Sequence, residues 1–201
     1  MKLIVIGAGG HAKVVVDTAN ASGWDVIGFC DDNPNAKFVD LPFLGVPNEV
    51  KFSFDIHVVI AIGQNTIRQK IANELADRVT WATIIHPRAT VSSKAKVQEG
   101  TVIFAGAVVQ ADAVLGKHNI INTNASIDHD CTIKDYCHIA PGAVLVGGVQ
   151  LDTGVFVGAG AVILPKRRIG EWTTIGAGAV ALNDLEAHGV FVGVPAFRLH
   201  S

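Results

Sequence analysis

From Ala89 to Asp184 one large aliphatic residue returns every six positions, without an insertion. The series runs Val91, Val97, Ile103, Val109, Leu115, Ile121, Ile127, Ile133, Ile139, Leu145, Leu151, Val157, Ile163, Ile169 and Ile175, and breaks only at Ala181. The first position of each hexad is mostly small, as Ala, Cys or Thr. A period of six with one aliphatic per repeat predicts one short strand and one turn per hexad, the pattern of a parallel β-helix. Three hexads make a coil of 18 residues, so sixteen hexads give a little over five coils. Stacked at about 4.8 Å, they form a prism roughly 25 Å tall. The aliphatics point inward, and the small residues let neighbouring faces pack close. Cys131 and Cys137 fall in small-residue slots and read as packing residues. Such a solenoid leaves exposed faces, needs caps and often oligomerises.

Residues 1–85 follow another pattern. Lys2–Ile6 is an apolar strand, followed by Gly7-Ala8-Gly9-Gly10-His11-Ala12 and a helical run over Lys13–Ala21. Asp25–Cys30 is a second strand ending in Asp31-Asp32, and Ile56–Ile62 a third ending in Gly63. Over Thr66–Ala76, Ile67, Ile71 and Leu75 share a helical face, and Val79–Ile84 reads as a last strand. Strand alternating with helix predicts a small, Rossmann-like parallel sheet. The expected organisation is therefore an α/β domain over 1–85 and a β-helix with a C-terminal cap over 86–201.

Composition narrows the function. Apolar residues are 49% and charged residues 17% of the 201, which excludes a disordered chain. No apolar run reaches the roughly 18 residues of a membrane span, and the start of the chain lacks a signal-peptide layout. Sixteen basic against eighteen acidic residues leave −2, so there is no basic field for nucleic acid. Three cysteines without zinc spacing predict a reduced, cytoplasmic protein with neither disulfides nor a metal site.

Two places carry candidate chemistry. The glycine turn fits G-x-G-x-x-A, which lets a phosphate approach backbone N–H groups at a helix N-terminus; a tight turn without a ligand fits it too. An acidic pair about 20 residues on, Asp31 and Asp32, lies where such folds meet a ribose or base. The domain has the size of half a doubly wound fold, which suits a mononucleotide or nucleotide sugar better than NAD. His11 either touches such a ligand or caps the helix. In the hexads, His129 occupies a corner position, flanked by Asp128 and Asp130. One coil up stands Gly147 and one coil down Ala111, so the ring has room beside it. His138 and Asn122 are further polar outliers, on the same face in successive coils and away from the His129 corner. Within one chain they lie too far from His129 to share a substrate, unless a subunit interface joins them.

The order Gly7-Ala8-Gly9-Gly10-His11-Ala12-Lys13, then Asp31-Asp32, then Ile84-Ile85-His86-Pro87 leading into hexads resembles the NeuD/PglD-type sugar acyltransferases. The resemblance covers nearly the whole chain. It implies a left-handed β-helix, a homotrimer, acetyl-CoA as co-substrate in a groove between prisms, and N-acetylation of a UDP- or GDP-linked 4-amino-4,6-dideoxy sugar in glycan biosynthesis. By position, Gly9, Gly10 and His11 would meet phosphates, Asp31 and Asp32 the base or ribose, and Gly63 would form the strand-end loop of the site. His129 would be the general base and Asp130 its orienting partner, where the family often has Glu. Asn122 and His138 would contact the acetyl group or the sugar, and Gly147 would offer an N–H to the thioester carbonyl. Gly158 and Gly176 are turn glycines or line the pantetheine groove. Gly193-Val194-Pro195-Ala196 resembles a G-x-P-A segment near CoA, which places Pro195 and Ala196 there. Phe197 stands where the family often has Lys, and Arg198 or Lys166-Arg167-Arg168 are candidates for the CoA phosphates. Two rival readings are O-acetylation of a sialic acid or another sugar, and a non-catalytic nucleotide-sugar sensor.

Overall fold

The structure, a computed structural model, describes residues 1–38 and 40–199. The N-terminal domain consists of β1 (Lys2–Ile6), α1 (Gly10–Ala21), β2 (Asp25–Cys30), β3 (Phe43–Gly45), β4 (His57–Ile60), α2 (Asn65–Leu75) and β5 (Thr80–Trp81). Its strands form one parallel sheet in the order β3-β2-β1-β4-β5. Both sheet faces are covered, which is why β1 and β4 read as unbroken apolar runs rather than alternating ones. Leu3 and Val5 pack with Ala12, Val15 and Ala19 of α1, while Ile4 and Ile6 pack with Ile71 and Leu75 of α2. Helix α1 starts at Gly10, three residues earlier than the apolar periodicity suggests, because Gly9 is the extended N-cap. Strand β3 gave no sequence signal; it is a three-residue edge strand between prolines.

The strand expected over Val79–Ile84 is two strands. Thr80–Trp81 closes the first sheet on β4, whereas Ile84–Ile85 pairs with Val102–Ile103 and starts the β-helix. From there every hexad contributes a two-residue strand, and up to Val162–Ile163 each strand pairs in parallel with the one 18 residues on; Thr174–Ile175 pairs with Val190–Phe191, 16 residues on. The three ladders form three faces. The first face carries Ile84–Ile85, Val102–Ile103, Ile120–Ile121, His138–Ile139, Phe156–Val157 and Thr174–Ile175; it is closed by Val190–Val192 and the antiparallel Phe197–Arg198. The second runs from Thr90–Val91 to Val180–Ala181, and the third from Lys96–Val97 to Arg168–Ile169.

The inward aliphatics from Ile103 to Ile175 are all essentially inaccessible and form one continuous core. Cys131 and Cys137 are buried in it as expected, and burial pushes the Cys137 thiol up to about 12. Where a polar residue takes a small-residue slot, it is satisfied internally. Asn119 donates to the Gly116 carbonyl (3.0 Å) and accepts from the Cys137 N–H (2.7 Å). The sixth residue of each hexad from Gly100 to Gly178 has positive φ, including Asp130 (61°) and Lys166 (62°). That single left-handed residue turns the chain at each corner, so Gly, Asn and Asp recur there.

The outward second positions distinguish the faces. On the first face Ile84, Val102 and Ile120 are buried, because the N-terminal domain sits on them, and Phe104 joins the α1-side core. On the third face the same position is Lys96, Val114, Thr132, Gln150 and Arg168, polar in all but one coil.

Candidate active site

The glycine turn lies at the carboxyl edge of the parallel sheet, where open α/β sheets bind ligands. Gly7 (φ 109°) donates to the Cys30 carbonyl at 2.7 Å, tying β1 to β2. Asp31 closes the turn, one carboxylate oxygen accepting from the Ala8 N–H (2.9 Å) and the other from the Asn33 N–H (2.9 Å). Asp32 beside it is exposed. At Gly9 and Gly10 an added Cβ would meet nothing within 4 Å, and neither residue has positive φ. Internal packing therefore gives no reason for glycine there, and the space in front of the α1 N-terminus is open to a ligand.

His11 turns away from that space, towards the β-helix. Its ring meets Phe104 edge-on at 5.5 Å and lies 6.1 Å from the ring of His138. Nε2 is buried without a hydrogen-bond partner among the described residues. Burial, and secondarily the Arg68 charge, lower the pKa of His11 to about 4, so the ring is neutral near pH 7.

His138 projects from the first face into the domain junction. The Thr123 N–H bonds to Asn122 Oδ1 at 2.8 Å, which leaves Asn122 Nδ2 facing His138 Nε2 at 3.1 Å. Nε2 is thus the acceptor, and Nδ1 carries the proton that reaches the Gly63 carbonyl at 3.2 Å. Burial and Arg68 lower the pKa of His138 to about 4 as well. With both ring nitrogens engaged, His138 is suited to hold a group in place and poorly suited to accept a proton. Three expected site residues, Gly63, Asn122 and His138, therefore form one hydrogen-bonded unit, and His11 packs against it.

His129 stands apart from this unit. It lies at the corner between the second and third faces, its side chain 62% exposed, and its Nδ1 pairs with Asp130 Oδ2 at 2.7 Å. The Asp130 hydrogen bond, then the Asp128 charge, raise its pKa above the ordinary histidine value. Asp128 Oδ1 accepts from the His129 N–H (2.8 Å) and pins the turn. Nε2 makes no hydrogen bond among the described residues and lies beside Gly147. Gly147 stacks on the ring as the 18-residue spacing requires: a Cβ there would sit 2.6 Å from Cε1 of His129. The Gly147 N–H makes no hydrogen bond among the described residues. No hydrogen bond or ring contact among the described residues joins His129 to His138 or His11.

The upper coils divide the remaining candidates. Gly158 and Gly176 donate to the Ile175 and Phe191 carbonyls at 2.8 Å, and a Cβ at either would strike the next coil. Pro195 and Ala196 lie in the turn between the last two strands of the first face, and the Ala196 N–H bonds to the Val180 carbonyl at 2.8 Å. Arg168 is paired with Asp152 (2.9 Å), Arg167 approaches Asp184 (3.7 Å), and Arg198 pairs with Glu186. Lys166 makes no ion pair among the described residues and lies over Gly148, in the corner column of Asp130. Among the other histidines, His118 is buried, stacked on Tyr136 at 5.4 Å and edge-on to Trp81. His57 contacts Trp24, His86 shapes the junction turn, His188 is exposed near Glu171, and His200 lies outside the described residues. No cluster of potential metal ligands exists among the described residues.

Sequence reasoning missed Arg68, Asn65 and Phe104. One signal was available. The outward second position is large and apolar in every third hexad from Ile84 to Ile120, then becomes His138 and Phe156. That column marks the face that another domain covers.

Residues 2–75 match the PglD N-terminal domain family, and residues 112–147 match the bacterial transferase hexapeptide (six repeats) family. Among solved structures, the acetyltransferase domain of PglB from Neisseria gonorrhoeae FA1090 is 39% identical, with a TM-score of 0.93, covering 98% of this chain and 99% of that one. The same domain has also been solved with acetyl coenzyme A. A histidine-to-asparagine mutant of perosamine N-acetyltransferase from Caulobacter crescentus, solved with CoA and GDP-perosamine, is 35% identical with a TM-score of 0.94, covering 100% of this chain and 98% of that one. UDP-N-acetylbacillosamine N-acetyltransferase from Bacillus subtilis (strain 168) is 38% identical over 110 residues, an alignment covering 49% of each chain. The chain thus spans about half the length of that curated relative.

Proposed function

The chain belongs to the PglD-type family of hexapeptide-repeat sugar acyltransferases, and on that premise we propose that it is an acetyl-CoA-dependent N-acetyltransferase. Its acceptor is the amino group of a UDP- or GDP-linked 4-amino-4,6-dideoxy sugar. The observation that carries the assignment is the exposed His129, oriented by Asp130 beneath the side-chain-free Gly147.

The residues divide the work. The open α1 N-terminus with Gly9 and Gly10 receives the diphosphate, and Asp31 and Asp32 stand on the nucleoside side. Gly63, Asn122 and His138 border the sugar, with His11 beside them. Nε2 of His129 takes a proton as the sugar nitrogen attacks the thioester carbonyl carbon. The oxyanion accepts from the Gly147 N–H, and collapse expels the CoA thiolate, which takes up from His129 the proton that came from the amine. Gly158 and Gly176, where no side chain projects, and the turn holding Pro195 and Ala196 border the pantetheine. Lys166, which unlike Arg167, Arg168 and Arg198 makes no ion pair among the described residues, meets a CoA phosphate.

His129 and the His138 unit belong to different corners of the prism, so one active site takes them from two subunits of a homotrimer. The second face supports this arrangement. It lies between the two corners and presents half-buried Val108, Val144, Val162 and Val180 outward, whereas the third face is largely polar.

The test is CoA thiol release with acetyl-CoA and a panel of UDP-4-amino-4,6-dideoxy sugars, GDP-perosamine and free sialic acid. Release with a nucleotide-linked amino sugar is expected, and His129→Ala should lower turnover by about 10²–10⁴-fold with the thermal midpoint unchanged. Release with sialic acid alone would move the assignment to O-acetylation. Wild-type turnover in His129→Ala would remove the base from its role.

A further inference from the structure

Arg68 is the largest of the fully buried side chains, 1% exposed, and it forms no ion pair among the described residues. An unpaired buried charge is costly unless its hydrogen-bonding capacity is filled. Here it is filled by oxygens from both domains. Nη1 donates to the carbonyls of Ile62 (3.0 Å) and Gly63 (3.2 Å), in the loop that follows β4. Nε donates to the His118 carbonyl (2.8 Å), and Nη2 to the Tyr136 and Cys137 carbonyls (2.9 and 3.3 Å), on two successive coils of the β-helix. Nη2 also donates to Asn65 Oδ1 (2.9 Å), whose amide in turn reaches the Gly154 carbonyl (3.0 Å) of a third coil. Burial lowers the Arg68 pKa to about 10, so the group stays charged near neutrality.

One of these bonds leads into the acceptor site. The Gly63 carbonyl accepts one hydrogen bond from Arg68 Nη1 and a second from His138 Nδ1–H. Cys137, whose carbonyl Arg68 also holds, is the residue before His138. A planar fork with five donors meets such scattered carbonyls; a lysine ammonium, with three donors at one point, does not.

We propose that Arg68 is a positioning residue for the transfer reaction: it clamps the Ile62–Gly63 loop to the coil that carries His138, and so fixes the place and the Nδ1–H tautomer of His138 with its partner Asn122. The inference rests on the reading of the His138–Asn122 pair as part of the acceptor site. Being buried, Arg68 presents almost no surface to a substrate. It registers the nucleotide-binding half against the β-helix, where small misplacements of an acceptor are costly.

The test uses the full chain, wild type and Arg68→Lys, with three readouts. Nitrogen-15 spectra of the histidine rings, assigned with His138→Gln, should show wild-type His138 as the Nδ1–H tautomer, without titration from about pH 5.5 to 8, the range in which an ordinary histidine changes charge. In Arg68→Lys the His138 signals should shift or split between tautomers. The KM for the nucleotide-sugar acceptor should rise about 10-fold or more while the KM for acetyl-CoA stays within about twofold, as expected for a lost set of charge-assisted hydrogen bonds on one side of the site only. Calorimetric affinity for UDP and GDP alone supplies a probe independent of turnover. Unchanged His138 signals and acceptor KM in the folded Lys variant would overturn the proposal, as would equal rises in both KM values, which mark a merely structural role. If the variant does not fold, a wild-type His138 that is protonated on Nε2 or titrates near 6.5 overturns it without any variant. If wild type neither turns over the acceptor panel nor binds UDP or GDP, the proposed function fails, while the ring spectra still decide whether Arg68 holds His138.

Discussion

At the corner that carries His129, the residue one coil above is Gly147, and any side chain there meets the imidazole. The Gly147 backbone does not have positive φ, so Gly147→Ala is tolerated by the chain but displaces the ring. The expected result is a fall in kcat of about 10-fold or more, the scale of losing one aligned catalytic contact, with an unchanged melting midpoint; full activity would show that the ring has another place to go. Asp130 acts on the same ring through its hydrogen bond to Nδ1. Because its hydrogen bond raises the His129 pKa, Asp130→Asn lowers it, and a base of lower pKa stays deprotonated in more acidic solution. The acidic limb of the kcat/KM profile should therefore move to lower pH, together with a loss of rate from the less well oriented ring. A limb that moves upward, or not at all, contradicts this role. His129 was legible because a histidine between two aspartates interrupts a column of small corner residues. The neutral tautomer of His138 was not legible, since its Nδ1 partner, the Gly63 carbonyl, is 75 residues away.

The hexad is the element that the chain spells out most clearly. One inward aliphatic per strand is enough to predict the strand, its direction and its partner 18 residues on, because each coil buries its side chains against copies of the same pattern. Leu145→Ala, in a stack that is inaccessible on all sides, should cost about 2–5 kcal/mol, readable as a lower midpoint in urea with little change in kcat for the surviving folded fraction. A cost below about 1 kcal/mol would mean that the coils relax around the cavity. Elements with weak periodicity were the ones missed. Strand β3 is three residues long, and the last two strands of the first face lie beyond the final hexad, where pairing is set by the open end of the prism and not by a repeat.

At the scale of the whole molecule, the junction between the domains concentrates buried histidines. His11, His118 and His138 are each held at a pKa of about 4, by burial first and by Arg68 second, against 6.5 in an unfolded chain. Between those values the unfolded chain binds more protons than the folded one, so stability rises with pH across this window. Their contribution is fully present above about pH 6.5 and is lost as the pH falls towards 4. The thermal midpoint should therefore drop steeply on acidification from pH 6.5, and less steeply in His118→Phe, which keeps the aromatic contacts with Trp81 and Tyr136. A midpoint that is flat between pH 6.5 and 4.5 would mean that these rings have freer access to water than the junction allows.

The sequence by itself determined what repeats and what is local. Six-residue periodicity dictates the prism, strand and helix alternation dictates the small parallel sheet, and the glycine turn and the Asp-His-Asp corner declare themselves because their chemistry is written within a few consecutive residues. Tertiary structure alone decided how the two halves meet. Nothing near Arg68 in the chain reveals that its fork will reach carbonyls 50 to 69 residues ahead, and nothing near His11 shows that its ring will face His138 rather than the glycine turn. Those contacts depend on which face of the prism the first domain covers, and that choice is made by the summed burial of Ile84, Val102, Phe104 and Ile120 across a surface no local pattern encloses.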